Sequence, residues 1–183
     1  KNMPGIKGVY LPQVTWGNHP QMVKELGLEL NTYSYLDDAG TGLNFEAMIG
    51  DIRKIPDGNA ILLHAVAHNP TGVDPTDDNW RELLDVIKQK KLLLFFDCAY
   101  QGFVSGDPEV DAFAVRLFAD QGFEMVVACS FSKNFGLYGE RTGALHVVSS
   151  DKDALKSCGS QLRAIARVLY STCPSFGARI VST

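Results

Sequence analysis

Lys133 stands out among the charged residues of this 183-residue chain because its neighbours are largely apolar. Phe131, Phe135 and Leu137 flank it, whereas lysine side chains usually stay in water. An amine that such surroundings keep neutral can condense with an aldehyde to form a Schiff base. The sequence therefore predicts a reactive lysine, and a surface lysine in a loop is the alternative.

Asp97 and Arg141 supply charges that suit the same chemistry. Asp97 ends the apolar run 92–96, where a lone carboxylate is costly unless it is paired. A protonated pyridine nitrogen is one possible partner, and pyridoxal-phosphate enzymes place an aspartate against it beside their Schiff-base lysine. The Arg141 guanidinium could hold a phosphate through two parallel hydrogen bonds. Together the three residues indicate a pyridoxal-phosphate site.

Three shorter motifs suggest other chemistries, and each is incomplete. Gly40 and Gly42 begin a dinucleotide-binding motif that lacks its third glycine. His64 and His68 have the spacing of zinc ligands on a helix, but we expect them at a strand end, with their rings far apart, as structural or supporting histidines. Ser130 and Lys133 match the S-x-x-K of serine acyl-enzymes without its companion motifs. We therefore expect no metal site.

The candidate residues follow predicted strands that alternate with predicted helices. Apolar runs predict strands at 9–11, 29–35, 60–66, 92–96, 125–128 and 144–148, and helical periodicity predicts helices at 21–26, 45–55, 80–87, 113–118 and 151–170. This alternation predicts a single α/β domain of three layers, α/β/α, with a mostly parallel sheet. In such sheets ligands bind at the carboxyl ends of the strands.

Composition argues against several functions. The 17 Lys and Arg residues against 21 Asp and Glu give a net charge of −4, unlike a nucleic-acid binder or a polybasic membrane binder. No apolar run approaches the roughly 20 residues that cross a bilayer. The four cysteines form no C-x-x-C pair, and we expect Cys98 and Cys129 to be buried and reduced. We expect a cytoplasmic protein, with a mitochondrial one as the alternative.

Three motifs, in their order and spacing, resemble those of the aspartate aminotransferases. They are His68-Asn-Pro-Thr-Gly72, Asp97-x-x-Tyr100 and the run from Ser130 to Arg141. These enzymes form a dicarboxylate-using subgroup of the fold-type-I pyridoxal-phosphate enzymes. The resemblance covers nearly the whole chain. It implies the large-domain fold of that class, pyridoxal 5'-phosphate as cofactor, transamination between L-aspartate and 2-oxoglutarate as activity, and a homodimer of the full-length protein.

The resemblance also implies how the cofactor ring is held. Lys133 would carry the Schiff base and then move a proton at the substrate's α-carbon. Asp97 would pair with the pyridinium nitrogen, and His19 would hydrogen-bond that aspartate. Trp16 would stack on the ring face and also line the substrate site.

The remaining cofactor contacts follow from the same motifs. Asn69 and Tyr100 would hydrogen-bond the phenolic oxygen of the ring, and Asn69 would also contact substrate. Ser130 and Arg141 would hold the phosphate, with Ser132 beside it. The implied catalytic residues are Lys133, Asp97 and Tyr100.

Substrate choice depends on Arg167, which matches the arginine that reaches into the neighbouring subunit and binds the distal carboxylate. The segment 168–174 departs from the Trp-Ser-Asn-Pro-Pro expected of close relatives, which leaves aromatic amino acids open as substrates. A lyase or decarboxylase on the same fold, and a fragment that keeps only the fold, are further alternatives. The family's Gly-Thr phosphate loop and α-carboxylate arginine have no counterpart here. We therefore expect the central part of a large domain, inactive by itself.

Overall fold

The sheet positions most residues of the predicted site, which lie at or after the ends of its strands. In the computed structural model, which describes residues 5–183, it has six strands: β1 (Gly8–Pro12), β2 (Glu29–Tyr33), β3 (Ala60–His64), β4 (Leu93–Cys98), β5 (Met125–Ser130) and β6 (Gly143–Val148). Their order is β2-β1-β3-β4-β5-β6, and β6 alone runs antiparallel to its neighbour. The predicted mostly parallel sheet is confirmed.

Helices connect the strands. Within residues 5–183 they are α1 (Asn18–Glu25), α2 (Phe45–Lys54), α3 (Asp77–Lys88), α4 (Pro108–Asp111), α5 (Phe113–Asp120), α6 (Lys152–Tyr170) and α7 (Phe176–Val181). The Asn44 side chain accepts a hydrogen bond from the Ala47 N–H and begins α2, whereas Thr76 and Asn79 form a capping box that begins α3. No helix in this part of the chain is long and apolar enough to cross a membrane.

Alternate strand residues pack against opposite helix layers. Ile61 and Leu63 belong to the main core under α2, α3 and α5, whereas Leu62 packs with Leu11 and Val23 of α1 on the other face. This alternation confirms the predicted three layers. In the main core the rings of Trp80, Phe96 and Phe118 lie with centroids 5.5–6.4 Å apart, a geometry that adds to the burial of their apolar surface.

The strand order places a topological switch point between β1 and β3. The chain passes from β1 to β2 on one side and returns across β1 to β3 on the other, and such a point opens a crevice at the carboxyl ends of the strands. Several element ends near this crevice differ from the predictions. Helix α1 begins at Asn18, so His19 lies in its first turn, β3 ends at His64, and β4 extends to Cys98. Helices α4 and α7 were not predicted.

Candidate active site

Thr15 joins two histidines that come from different elements, His19 from α1 and His64 from the end of β3. Its Oγ1 lies 2.8 Å from His19 Nδ1 and 2.8 Å from His64 Nε2. The other ring nitrogens face Asp97, whose Oδ2 lies 3.3 Å from His19 Nε2 and 3.9 Å from His64 Nδ1. His19 and His64 are both buried. Residues that follow β1 and residues at the ends of β3 and β4 therefore meet in one polar network at the switch point, in which Thr15 hydrogen-bonds both histidines and both histidines face Asp97.

The sheet register explains why these groups meet. His64 and Asp97 are directly paired between the parallel strands β3 and β4, so their side chains share one face of the sheet. The Asp97 side chain is 20% exposed. Both histidine contacts involve Oδ2, which leaves Oδ1 available to a further donor.

His68 folds back onto this network. The predicted separation of His64 and His68 is wrong, because their ring centroids lie only 4.2 Å apart. The strand ends at His64, and Ala67 adopts a left-handed φ of 50°, which turns the chain so that His68 stacks on Tyr35 at 3.9 Å. That both histidines are structural or supporting residues stays a prediction.

Burial keeps His64 and His68 uncharged near neutral pH. It lowers the pKa of His64 to about 4, with His19 adding to the shift and Asp97 opposing it. Burial and then the neighbouring His64 lower the pKa of His68 to about 3. Both rings are therefore neutral donors and acceptors at physiological pH.

His19, His64 and Asp97 are also close enough to hold a metal ion, since one ligand atom from each lies within 4.8 Å of the others. Two imidazoles and a carboxylate suit several divalent metals. The contacts among Thr15, the two histidines and Asp97 explain the cluster without one.

Tyr100 and Lys133 lie together although they follow different strands. Lys133 is half-buried, and its Nζ lies 4.8 Å from the centroid of the Tyr100 ring, where a cation is attracted to the ring face. Asn134 Nδ2 donates to the Gln101 carbonyl at 3.4 Å, which ties the two loops together. The structure thus brings two of the predicted catalytic residues into contact.

The residues expected to hold a phosphate lie at the end of β5 and in the segment between β5 and β6. The Ser132 backbone N–H donates to Ser130 Oγ at 3.2 Å, and the Ser132 side chain is buried. The Phe131 N–H donates to the Thr142 carbonyl, which brings the neighbouring Arg141 backbone beside this segment. The Arg141 guanidinium donates to a backbone carbonyl at 3.0 Å. In residues 5–183 no carboxylate forms a salt bridge with Arg141.

Trp16 and Asn69 lie at the edges of the network. Trp16 meets His19 edge-on with ring centroids 5.3 Å apart, and it is 43% exposed, which excludes a role as a core tryptophan. Asn69 follows β3, and its backbone N–H points to His64 Nδ1 at 3.5 Å. Arg167 lies exposed on α6, and within residues 5–183 its guanidinium forms no salt bridge with the other predicted residues.

Sequence reasoning missed the residues that hold the site loops. The Asp74 carboxylate accepts the backbone N–H groups of Ala67 and His68 at 2.7 and 2.8 Å. The buried Asp111 carboxylate accepts three N–H groups of the loop 102–105, which follows Tyr100. No local spacing marks these residues, although a polar residue just after a strand, such as Thr15, is a usable signal.

The donor set fits pyridoxal phosphate. Oδ1 of Asp97 can accept a pyridinium proton, the Lys133 amine can condense with an aldehyde, and the Ser130 hydroxyl and Arg141 guanidinium are phosphate donors. Arg141 and Ala67 both have positive φ, a strain that non-glycine residues show most often at functional sites. The charge and chemistry of each part of the site therefore match a part of that cofactor.

Comparison with known proteins shows the family to which the chain belongs. The family model described as aminotransferase class I and II matches residues 2–183. The cytoplasmic aspartate aminotransferase of Dictyostelium discoideum is 48% identical over 183 residues, which cover 100% of this chain and 42% of that protein. The mitochondrial aspartate aminotransferase of Gallus gallus is 49% identical, with 96% of this chain and 42% of that protein covered. The chain thus spans about two fifths of the length of these curated relatives.

Solved structures show the same fold. A mitochondrial aspartate aminotransferase from Trypanosoma brucei superposes with a TM-score of 0.94 at 45% identity, covering 99% of this chain and 48% of that one. An aromatic amino acid aminotransferase from Burkholderia cenocepacia J2315 gives a TM-score of 0.91 at 45% identity, covering 96% and 44%. These similarities confirm the fold predicted from the sequence motifs, and this chain belongs to the class I and II aminotransferase family.

Proposed function

We propose that the protein carrying this chain is a pyridoxal-phosphate-dependent transaminase that exchanges an amino group between L-aspartate and 2-oxoglutarate. The chain would supply the central part of its cofactor-binding domain. The observation that carries the proposal is the Asp97 carboxylate, which His19 holds at 3.3 Å at the carboxyl end of β4. The names of the curated relatives support aspartate as the substrate.

Bound pyridoxal phosphate would supply an aldehyde and an electron-accepting ring. Asp97 would hold a proton on the ring nitrogen, and His19 would keep the carboxylate in place. Lys133 would bind the aldehyde and later carry a proton to and from the substrate's α-carbon. The Tyr100 ring beneath the amine keeps Lys133 close to the sheet edge, and Trp16 would cover one face of the cofactor ring.

The other predicted residues would orient the two ends of the cofactor. Asn69, which follows the same turn as His68, would hydrogen-bond the phenolic oxygen of the ring together with Tyr100, and it would also contact substrate. Ser130, Ser132 and Arg141 would hold the phosphate, as their positions at the end of β5 and in the segment before β6 allow.

Arg167 would bind the distal carboxylate of the substrate in a neighbouring subunit of a homodimer. Its exposed position on α6, away from the network around Asp97, supports a role outside its own site. A guanidinium binds a carboxylate through two parallel hydrogen bonds that a neutral side chain cannot replace.

A broader substrate range that includes aromatic amino acids is a second candidate. The similar structure from Burkholderia cenocepacia J2315 is an aromatic amino acid aminotransferase, and a similar structure from Leishmania mexicana is named a broad specificity aminotransferase. We place the protein in the cytoplasm, as the Dictyostelium discoideum relative is named. The mitochondrion is the alternative compartment, because mitochondrial relatives are equally similar to this chain.

Borohydride reduction of the full-length protein tests the cofactor site. Lys133→Ala removes the amine that binds the aldehyde, so we expect no borohydride-trapped cofactor on the peptide that contains position 133 and no transamination. Lys156→Ala is the matched control, because Lys156 lies exposed on α6 and pairs with Asp153. A trapped adduct that survives in the Lys133→Ala protein would contradict the assignment.

Substrate comparison tests the role of Arg167. Loss of a desolvated guanidinium–carboxylate contact costs about 2–5 kcal/mol, so Arg167→Leu should depress turnover of aspartate far more than turnover of phenylalanine. Mixing it with Lys133→Ala should restore some activity, since one hybrid site then receives both natural residues. Equal losses for both substrates would refute the role, and no recovery in the mixture would refute the trans arrangement.

A further inference from the structure

Two cysteines face each other across neighbouring strands beside the site. Cys98 at the end of β4 is paired in register with Cys129 near the end of β5. Both side chains belong to the main core face of the sheet, where Cys98 is buried and Cys129 packs against the core while half-buried. Neighbouring strands lie about 4.7–4.9 Å apart, which is within the roughly 4.4–6.8 Å that separates the Cα atoms of a disulfide.

The two thiols already interact. The Cys98 S–H donates to Gln101 Oε1 at 3.6 Å, and its register partner on the neighbouring strand is Cys129. The neighbouring Cys98 thiol lowers the pKa of Cys129, and the neighbouring Cys129 thiol together with burial raises the pKa of Cys98. Cys129 is therefore both the more accessible thiol and the one that ionises first, which are the properties of an oxidisable cysteine.

We propose that Cys98 and Cys129 form a reversible disulfide that joins β4 to β5 and lowers activity. Hydrogen peroxide would oxidise the Cys129 thiol to a sulfenic acid with release of one water. The Cys98 sulfur would then attack the Cys129 sulfur, forming the S–S bond and releasing a second water. In total the two thiols lose two protons and two electrons, and one peroxide becomes two waters. A dithiol reductant reverses the step.

The bond would act on the site through the backbone. Cys98 directly follows Asp97, and Cys129 directly precedes Ser130. Cys98 and Cys129 are paired on one face of parallel strands, so their Cβ atoms keep about the 4.7–4.9 Å spacing of the strands, whereas the Cβ atoms of a disulfide lie about 3.5–4.5 Å apart. Closing the bond therefore draws the two strand ends together and displaces Asp97 relative to the residues after β5. Strained disulfides of this kind are also the easily reduced ones.

Peptide mapping of the full-length holoenzyme tests the proposal. After hydrogen peroxide treatment and alkylation of free thiols, we expect a peptide pair that contains Cys98 and Cys129 and has lost two hydrogens. Dithiothreitol should separate the pair. Cys98→Ser and Cys129→Ser should each abolish the cross-linked peptide pair. Using both variants keeps the test valid if one of them fails to fold. The double variant Cys158→Ser, Cys173→Ser is the matched control and should still form the link.

Transaminase activity provides a second readout. This readout rests on the proposed function, whereas detection of the cross-linked peptides does not. A displacement of about 1 Å at a catalytic group can cost up to about a hundredfold, and we expect a loss of roughly tenfold that dithiothreitol restores. Cys98→Ser should keep its activity under the same peroxide treatment. The proposal is overturned if Cys173 oxidises fully while no Cys98–Cys129 peptide forms, or if the link forms without loss of activity.

Discussion

Replacing His68 with phenylalanine should make this fold less sensitive to mild acid. Burial and the neighbouring His64 lower the pKa of His68 to about 3, whereas an unfolded histidine titrates near 6.5. Between these two pH values the histidine therefore binds a proton in the unfolded state but not in the folded state. The stabilising contribution of neutral His68 is fully present above about pH 6.5 and is lost as the pH falls from there toward about 3.

The magnitude follows from the proton difference between the two states. One proton bound only by the unfolded state lowers the free energy of unfolding by up to about 1.4 kcal/mol per pH unit. Partial access of solvent to the ring reduces this figure, so we expect about 1 kcal/mol per pH unit from His68. His64 acts in the same direction between about pH 6.5 and its folded pKa of about 4, and it remains in the variant.

Phenylalanine keeps the packing that His68 provides. The His68 ring stacks on Tyr35 with an interplanar angle of 17°, and a phenyl ring can occupy the same place. The variant loses the contact between His68 Nδ1 and Thr71 Oγ1 at 2.8 Å, but it also removes Nε2, a buried atom without a hydrogen-bond partner. These effects oppose each other, so stability near pH 7 should change by no more than about 1 kcal/mol.

Urea unfolding of the full-length protein, followed by circular dichroism from about pH 7 to about pH 4.5, measures the slope. His68→Phe should lower it by about 1 kcal/mol per pH unit. His146→Gln is the matched control, because His146 lies exposed on β6, and its slope should equal that of the parent. Equal slopes for the parent and His68→Phe would refute the conclusion that burial keeps His68 neutral.

Two further substitutions test the groups that hold the site loops. Burial raises the pKa of Asp111, but hydrogen bonds from the loop 102–105 outweigh burial and leave the pKa below its usual value. Asp111→Asn should therefore lower the free energy of unfolding, measured in urea, by about 2 kcal/mol. An unchanged free energy of unfolding would show that the loop does not depend on this carboxylate. Thr15→Val leaves His19 and His64 without their shared hydrogen-bond partner, so its Tm should fall. Thr15→Ser keeps the hydroxyl and should keep the parent Tm. An unchanged Tm for Thr15→Val would contradict this role of Thr15.

The hydrophobic pattern predicted the elements because each strand and helix buries a local run of side chains. Strand β3 is buried along its whole length, and Trp80, Leu83 and Ile87 line the buried face of α3. The pattern was less informative about where elements end. Asp97 and Cys98 extend β4 because they pair with Ala128 and Cys129, and this pairing depends on a strand that lies some thirty residues further along the chain.

The site residues with family motifs were predictable, whereas their supports were not. Asp74 and Asp111 act on backbone N–H groups six to nine residues away, through turns whose geometry has no fixed residue spacing. The position of His68 depends on the positive φ of Ala67, which no residue preference indicates, since alanine rarely adopts it. The supporting residues and the position of His68 could not be predicted, because they depend on long-range contacts and on turn geometry.

The neutral state of His64 affects how Asp97 can bind a cationic ligand. A protonated imidazole beside this carboxylate would compensate its charge and compete with any cation that approaches Oδ1. Burial prevents that at His64, whose pKa of about 4 leaves the ring neutral near pH 7, while Thr15 still fixes its orientation. The network thus orients Asp97 without His64 neutralising its charge. Beside this partly exposed carboxylate a protonated ring nitrogen is favoured over a neutral one, because the attraction between opposite charges strengthens away from bulk water.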